Sequence, residues 1–291
     1  MLETAKSFSD YKVDAHNWIT LISGDYYPDI LKDACDLYSP VLVLFEQLLR
    51  SSESSVRLLM EISEIPNQWM RIQLARVFRK YVSPETSVEM LKKKSKIKDI
   101  CNQFGSGFRA IQQVQAAFAN RPIPDEALCA LLWEYKDRGK KGYDLTERFF
   151  YLFRSYFPEL LISGPERAGK DILMKKVFKD YPNSNRPVDF VVSNASNKIL
   201  AIGFARYDSD RGGSQEDDRT GGYHNCAREI LKYTQQKNLT TKVIFINDGP
   251  GLLLGSMWDD YASLESMETG KIIVLTLRMI PERITREWLT S

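Results

Sequence analysis

The chain has 291 residues, with 40 Lys and Arg against 38 Asp and Glu, four Cys and two His. A net charge of +2 excludes a polybasic nucleic-acid wrapper, though not a local basic groove. The cysteines are widely spaced, with no Cys-x-x-Cys pair, and His16 and His224 are the only imidazoles. That excludes the usual zinc clusters and His-rich metal sites.

The length allows one large domain or two modest ones, with a core that needs no disulfide. Sparse thiols fit a reducing, intracellular setting. The N-terminus reads as having no secretory signal, and no apolar run reaches membrane-spanning length. A soluble cytoplasmic protein with no membrane partner is expected.

The first part of the chain reads as helical. Residues 38–49 are apolar and end at a Ser-rich loop. Apolar spacing predicts helices over 56–65, stopping before Pro66, and over 69–82, stopping before Pro84. Residues 92–98 hold five Lys and no acid. They read as a DNA-backbone contact or a solvated helix face. Two more helices are expected over 125–135 and 144–157. Between them Asp137-Arg-Gly-Lys-Lys-Gly-Tyr143 reads as a basic loop containing Lys140 and Lys141.

The last third changes character. Residues 187–193 and 199–207 read as strands joined by the turn Asn194-Ala-Ser-Asn-Lys198. A Gly-rich polar stretch, 208–222, precedes a helix over 225–237. Val-Ile-Phe-Ile within 242–247 and the run 272–277 read as buried strands, the first ending in Asp248-Gly-Pro-Gly251. The order suggests an α/β core behind a helical region.

Asp189 lies mid-strand, where an acid needs a partner, commonly a cation. Residues 205–219 then crowd five acids and three arginines. Such density is either a solvated loop or a metal-binding centre. The order Arg186-Pro-Val-Asp189-Phe-Val-Val, hairpin, Ile202-Gly-Phe-Ala-Arg-Tyr-Asp208, helix, strand ending Asp-Gly-Pro-Gly, final strand resembles a type II restriction endonuclease of the PD-(D/E)XK fold. In layout it is similar to GATC-cutting members. The preceding helix carries Glu147, like the acidic first helix of that fold.

The resemblance implies a mixed central sheet flanked by helices over 136–291. A mainly helical region, 1–135, would then serve DNA binding or dimerisation. It implies Mg²⁺, double-stranded DNA, a homodimer, a prokaryotic cytoplasm and a cognate DNA methyltransferase in the same system. Asp189 would ligate the metal, and Glu147 would hold a metal-bound water. By register, the acid-x-Lys pair of the fold falls on Gly203 and Ala205, which cannot bind metal. Either the site has migrated into the space they leave, or the alignment differs, or this copy is inactive. The second acid is open among Glu216, Asp208 and Asp210. The replacement for the missing Lys is open among Arg206, Gln215, Arg219 and Lys170. Arg211, Gln215, Arg219, His224 and Asn225 have donor groups suited to base edges, with Lys140 and Lys141 suited to the backbone.

Two rival readings remain. Gly164-Pro-Glu-Arg-Ala-Gly-Lys170-Asp171 approaches a P-loop, which would make Lys170 a phosphate ligand in a nucleotide hydrolase. Asp171 stands where Ser or Thr is wanted, and Pro165 lacks an N–H. The plainer alternative is a turn that starts a helix at Asp171. The other rival is a non-catalytic, sequence-specific DNA-binding protein.

Overall fold

The computed structural model describes residues 6–167, 169–209 and 215–291, without the side chains of 137–139 and 215–220. Its contacts divide the chain into two units. One is Gly24–Arg138; the other joins Gly139–Ser291 to the chain up to Ser23.

The first unit is helical. It contains α1 (Ile30–Ser51), α2 (Ser55–Glu64), α3 (Gln68–Tyr81), α4 (Ile97–Phe104), α5 (Ile111–Ala119) and the first turns of α6 (Glu126–Tyr156). Side chains cap α2 and α3, where Ser54 Oγ accepts from Arg57 N and Asn67 Oδ1 from Met70 N. Helix α1 begins earlier than expected and runs through Pro40. An interior Pro costs a helix about 3 kcal/mol. Here Ala34, Tyr38, Val41, Leu42, Phe45 and Leu49 form one buried stripe, and that packing overrides the local cost.

Helix α6 corrects a second expectation. It is continuous over 31 residues, so the basic stretch with Lys140 and Lys141 is helical and not a loop. Two glycines each cost about 1 kcal/mol relative to Ala, but the neighbouring Lys and Arg are good helix formers. Each end is also anchored: Leu128, Cys129 and Leu132 are buried in the helical core, and Leu145, Phe149 and Phe153 in the core of the α/β unit.

The second unit is a mixed five-stranded sheet packed with helices. Its strands are β1 (Leu161–Ser163), β4 (Phe190–Ser193), β5 (Ile199–Tyr207), β6 (Lys242–Asp248) and β7 (Ile272–Leu275), in that spatial order. Strands β1, β4 and β5 are antiparallel, while β5, β6 and β7 are parallel. A small ribbon pairs β2 (Ile172–Leu173) with β3 (Pro187–Val188). Helix α7 (Gln215–Gln236) makes the crossover from β5 to β6, and α8 (Met257–Glu265) that from β6 to β7. Val243, Ile244, Phe245 and Ile246 are fully buried, as a central parallel strand covered on both faces requires.

Side-chain alternation sorts β4 and β5 onto two faces. Phe190 meets Phe149 of α6, with ring centroids 4.7 Å apart. Phe204 stacks on Phe245 and lies 5.9 Å from Tyr223 of α7. Gly203, paired with Phe190, therefore belongs to the α6 face, and Phe204 to the α7 face.

The N-terminal segment crosses the carboxyl ends of the parallel strands. Tyr207 Oη accepts from Ile22 N at 2.9 Å. Asp248 Oδ1 accepts from Thr20 N at 2.7 Å, and Thr276 Oγ1 donates to Trp18 O at 2.6 Å. Asp248 also accepts from Gly249 N and, through Oδ2, from Leu277 N. One buried carboxylate thus ties β6, the end of β7 and the N-terminal segment. The glycines of Asp248-Gly-Pro-Gly251 have a steric cause. Gly249 has φ 109°, and a Cβ on it would meet Asp208 O.

Among the described residues, no helix is long and apolar enough to cross a membrane.

Candidate functional site

Asp189 interrupts the strand between β3 and β4. Its N–H donates to Gly203 O at 3.0 Å, and its Oδ2 accepts from Ala205 N at 2.8 Å. The carboxylate thus stands in for a ladder carbonyl. Burial raises its pKa, Ala205 N–H opposes this, and the charge of Asp171 adds to the rise. Asp171 was not among the expected site residues. Asp171 directly precedes β2 and Asp189 directly follows β3, whose last registered pair is Ile172 with Val188. The only sequence signal was its place beside Lys170, in a segment that reads as a turn.

Phe190 pairs with Gly203, and Asp189 N also donates to Gly203 O, so the regular register stops at Phe190. Gly203 and Ala205 meet Asp189 through their backbone. The charges of Asp189, Arg206 and Asp208 all act on the Tyr223 hydroxyl, whose pKa burial raises first. Gly203 also leaves no space for an incoming ligand. The Phe190 ring stands where its Cβ would be.

Arg206 Nε donates to Asp208 Oδ1 at 2.8 Å, and Tyr261 Oη donates to Asp208 Oδ2 at 3.0 Å. Asp208 is 3% exposed. A metal at Asp208 would displace one of these donors. Facing Arg206 on β6, Asn247 is fully buried, and its amide has no hydrogen-bond partner among the described residues. Tyr223, Tyr261 and Asn247 were not anticipated, because each reads as an ordinary member of an apolar element.

Glu147 Oε2 accepts from Arg167 Nε at 3.0 Å, and Arg154 Nη2 donates to Glu166 at 2.7 Å. These two pairs tie the Gly164–Lys170 segment to α6. Lys170 itself is exposed in the bend before β2. The expected helix at Asp171 is replaced by strand β2, followed by the short helix Met174–Val177. A phosphate-binding P-loop needs a helix N-terminus at that point, and none is there.

His224 is docked on α8 and the turn after it. Its Nδ1 lies 3.2 Å from Met267 Sδ and its Nε2 lies 2.9 Å from Ser263 Oγ. Both ring nitrogens are engaged within the protein. Asn225 is exposed and accepts from Arg228. Lys140 is exposed and Lys141 half-buried on α6. Asp210 and Arg211 lie outside the described residues, as do the side chains of Gln215, Glu216 and Arg219. Among the described residues, no group of three or more His, Cys, Asp or Glu could hold a metal.

The run 92–98 is less basic in three dimensions than in sequence. Lys92 pairs with Glu89, Lys94 with Glu64 and Lys96 with Asp99. Its acids come from the short helix Val88–Leu91, from α4 and from α2.

No family model, curated protein or solved structure matches the chain.

Proposed function

We propose that the chain is a Mg²⁺-dependent, site-specific endonuclease of double-stranded DNA, related in layout to type II restriction enzymes of the PD-(D/E)XK fold. The observation that carries this reading is the pair Asp189–Asp171. Asp189 is a buried carboxylate at a strand break, and Asp171, just before β2, lies near enough for its charge to raise the Asp189 pKa further. Like charges so placed favour a divalent cation with oxygen ligands. Arg206, whose charge acts with that of Asp189 on Tyr223, would take the role of the fold's lysine. The order α6, β1, β4, β5, α7, β6 also supports the reading, with β1, β4 and β5 antiparallel and β6 parallel to β5.

Carboxylate oxygens are the donor type that Mg²⁺ takes. Asp189 and Asp171 would hold it, with Glu216 a third candidate at the start of α7. When bound, the ion would polarise the scissile phosphate and lower the pKa of the attacking water. Arg206 and Lys170 would supply cationic stabilisation to the phosphate oxygens. Homodimeric assembly and a companion methyltransferase come with the same reading.

A second reading, sequence-specific DNA binding without cleavage, is favoured by Gly203 and Ala205, which stand on the strand after Asp189 and cannot bind metal.

The test is incubation of the chain with phage DNA, with and without Mg²⁺, beside Asp189→Ala. Discrete fragments that require Mg²⁺ and vanish in Asp189→Ala support the endonuclease. Full cleavage by Asp189→Ala overturns the site. Specific DNA retention with no cleavage in Mg²⁺ or Mn²⁺ supports the second reading.

A further inference from the structure

The C-terminal turns of α6 form one wall of a groove of about 430 Å³ in the α/β unit. Arg148, Tyr151, Leu152 and Tyr156 stand at helical spacing along that wall. The facing wall is the turn after β7, with Arg278 and Pro281. The groove opens over the carboxyl ends of the parallel strands, where the N–H groups of Thr20 and Leu277 bind Asp248. Open α/β sheets take their ligands at this edge.

Its chemistry is selective. The charged side chains lining it are two arginines, with no carboxylate. Tyr151 is 73% exposed and Tyr156 41% exposed. Arg278 Nη1 is steadied by Asn17 O at 2.6 Å. Exposed aromatic faces stack on bases of any sequence, and guanidinium groups bind phosphate through paired N–H donors. A purely apolar occupant would leave both cations without a counter-charge.

We propose that this groove binds one nucleotide, with the base against Tyr151 and the phosphate between Arg148 and Arg278. The site is separate from Asp189 and does not depend on cleavage there. The same chemistry is carried by a free nucleoside monophosphate and by the 5′-phosphorylated end of a DNA strand.

The test is calorimetric titration of the full-length chain in EDTA, so that no cleavage intervenes. One arm uses deoxyadenosine 5′-monophosphate; the other uses a short 5′-phosphorylated oligodeoxynucleotide. Saturable binding is expected in at least one arm, and the arm that binds identifies the source. Arg148→Ala and Tyr151→Ala should each weaken it about tenfold or more, while Tyr151→Phe retains it. Both positions are solvent-exposed, and unchanged circular dichroism will show that the variants fold. Absence of saturable binding in both arms overturns the proposal. So does unaltered affinity in both alanine variants.

Discussion

The ring of Phe190 stands across the β4–β5 pairing in the place that a side chain on Gly203 would need. Glycine at 203 is therefore a packing requirement of the sheet. Phe190 is fully buried and also meets Phe149 and Phe150. Gly203→Ala must push this ring out of its rotamer, at a cost of about 1–3 kcal/mol. Urea denaturation will measure the loss, and combining Gly203→Ala with Phe190→Leu should recover part of it.

Asp189 gives a pH-dependent signature. Burial first, and Asp171 after it, raise its pKa in the fold, against the N–H of Ala205. The native state then holds this proton more tightly than the unfolded chain. The stabilisation is full below the unfolded carboxyl pKa and is lost as pH rises through the folded value. Asp189→Asn keeps an acceptor for Ala205 N and removes the charge. It should raise the thermal midpoint at neutral pH and flatten this part of the pH profile.

The same variant tests metal binding without an activity assay. If Asp189 and Asp171 hold Mg²⁺, saturating Mg²⁺ stabilises the wild type by about 2–3 kcal/mol. Asp189→Asn and Asp171→Asn should each abolish most of that increment. An equal Mg²⁺ response in all three proteins would remove these residues from the metal site.

Asp248 is a structural acid. It accepts from three backbone N–H groups in three separate segments. Asp248→Ala leaves those donors buried and unpaired, each worth about 1–3 kcal/mol. Global stability should fall. Limited proteolysis should show earlier cutting around residues 18–22, where Thr20 has lost its acceptor.

Glu147 separates structure from chemistry. Its partner is the exposed Arg167, and exposed pairs add little to stability. Glu147→Gln should leave the denaturation midpoint unchanged. Loss of Mg²⁺-dependent cleavage in that variant would then assign Glu147 to the reaction, and retained cleavage would limit it to the Arg167 contact.

By itself, the sequence determined the α/β class, the hairpin from 187 to 207, the buried strand before Asp248 and the odd placement of Asp189 inside a strand run. Each is written in local periodicity or in an acid placed where strands exclude acids. The two glycines of α6 misled the reading, because helix continuity there depends on anchoring at both ends, which lies outside any local window. The faces of β5 were equally hidden. An alternating strand shows which residues share a side, but its register against a neighbour is set by a pairing 13 residues away, Phe190 with Gly203. That pairing put Gly203 on the α6 side with Phe190. Only the tertiary structure brought the charge of Asp171 near Asp189, gave Asp208 to Arg206 and Tyr261, and laid Thr20 on Asp248. Contacts between distant segments carry no periodic signal, so packing alone decided which acids found partners inside the fold.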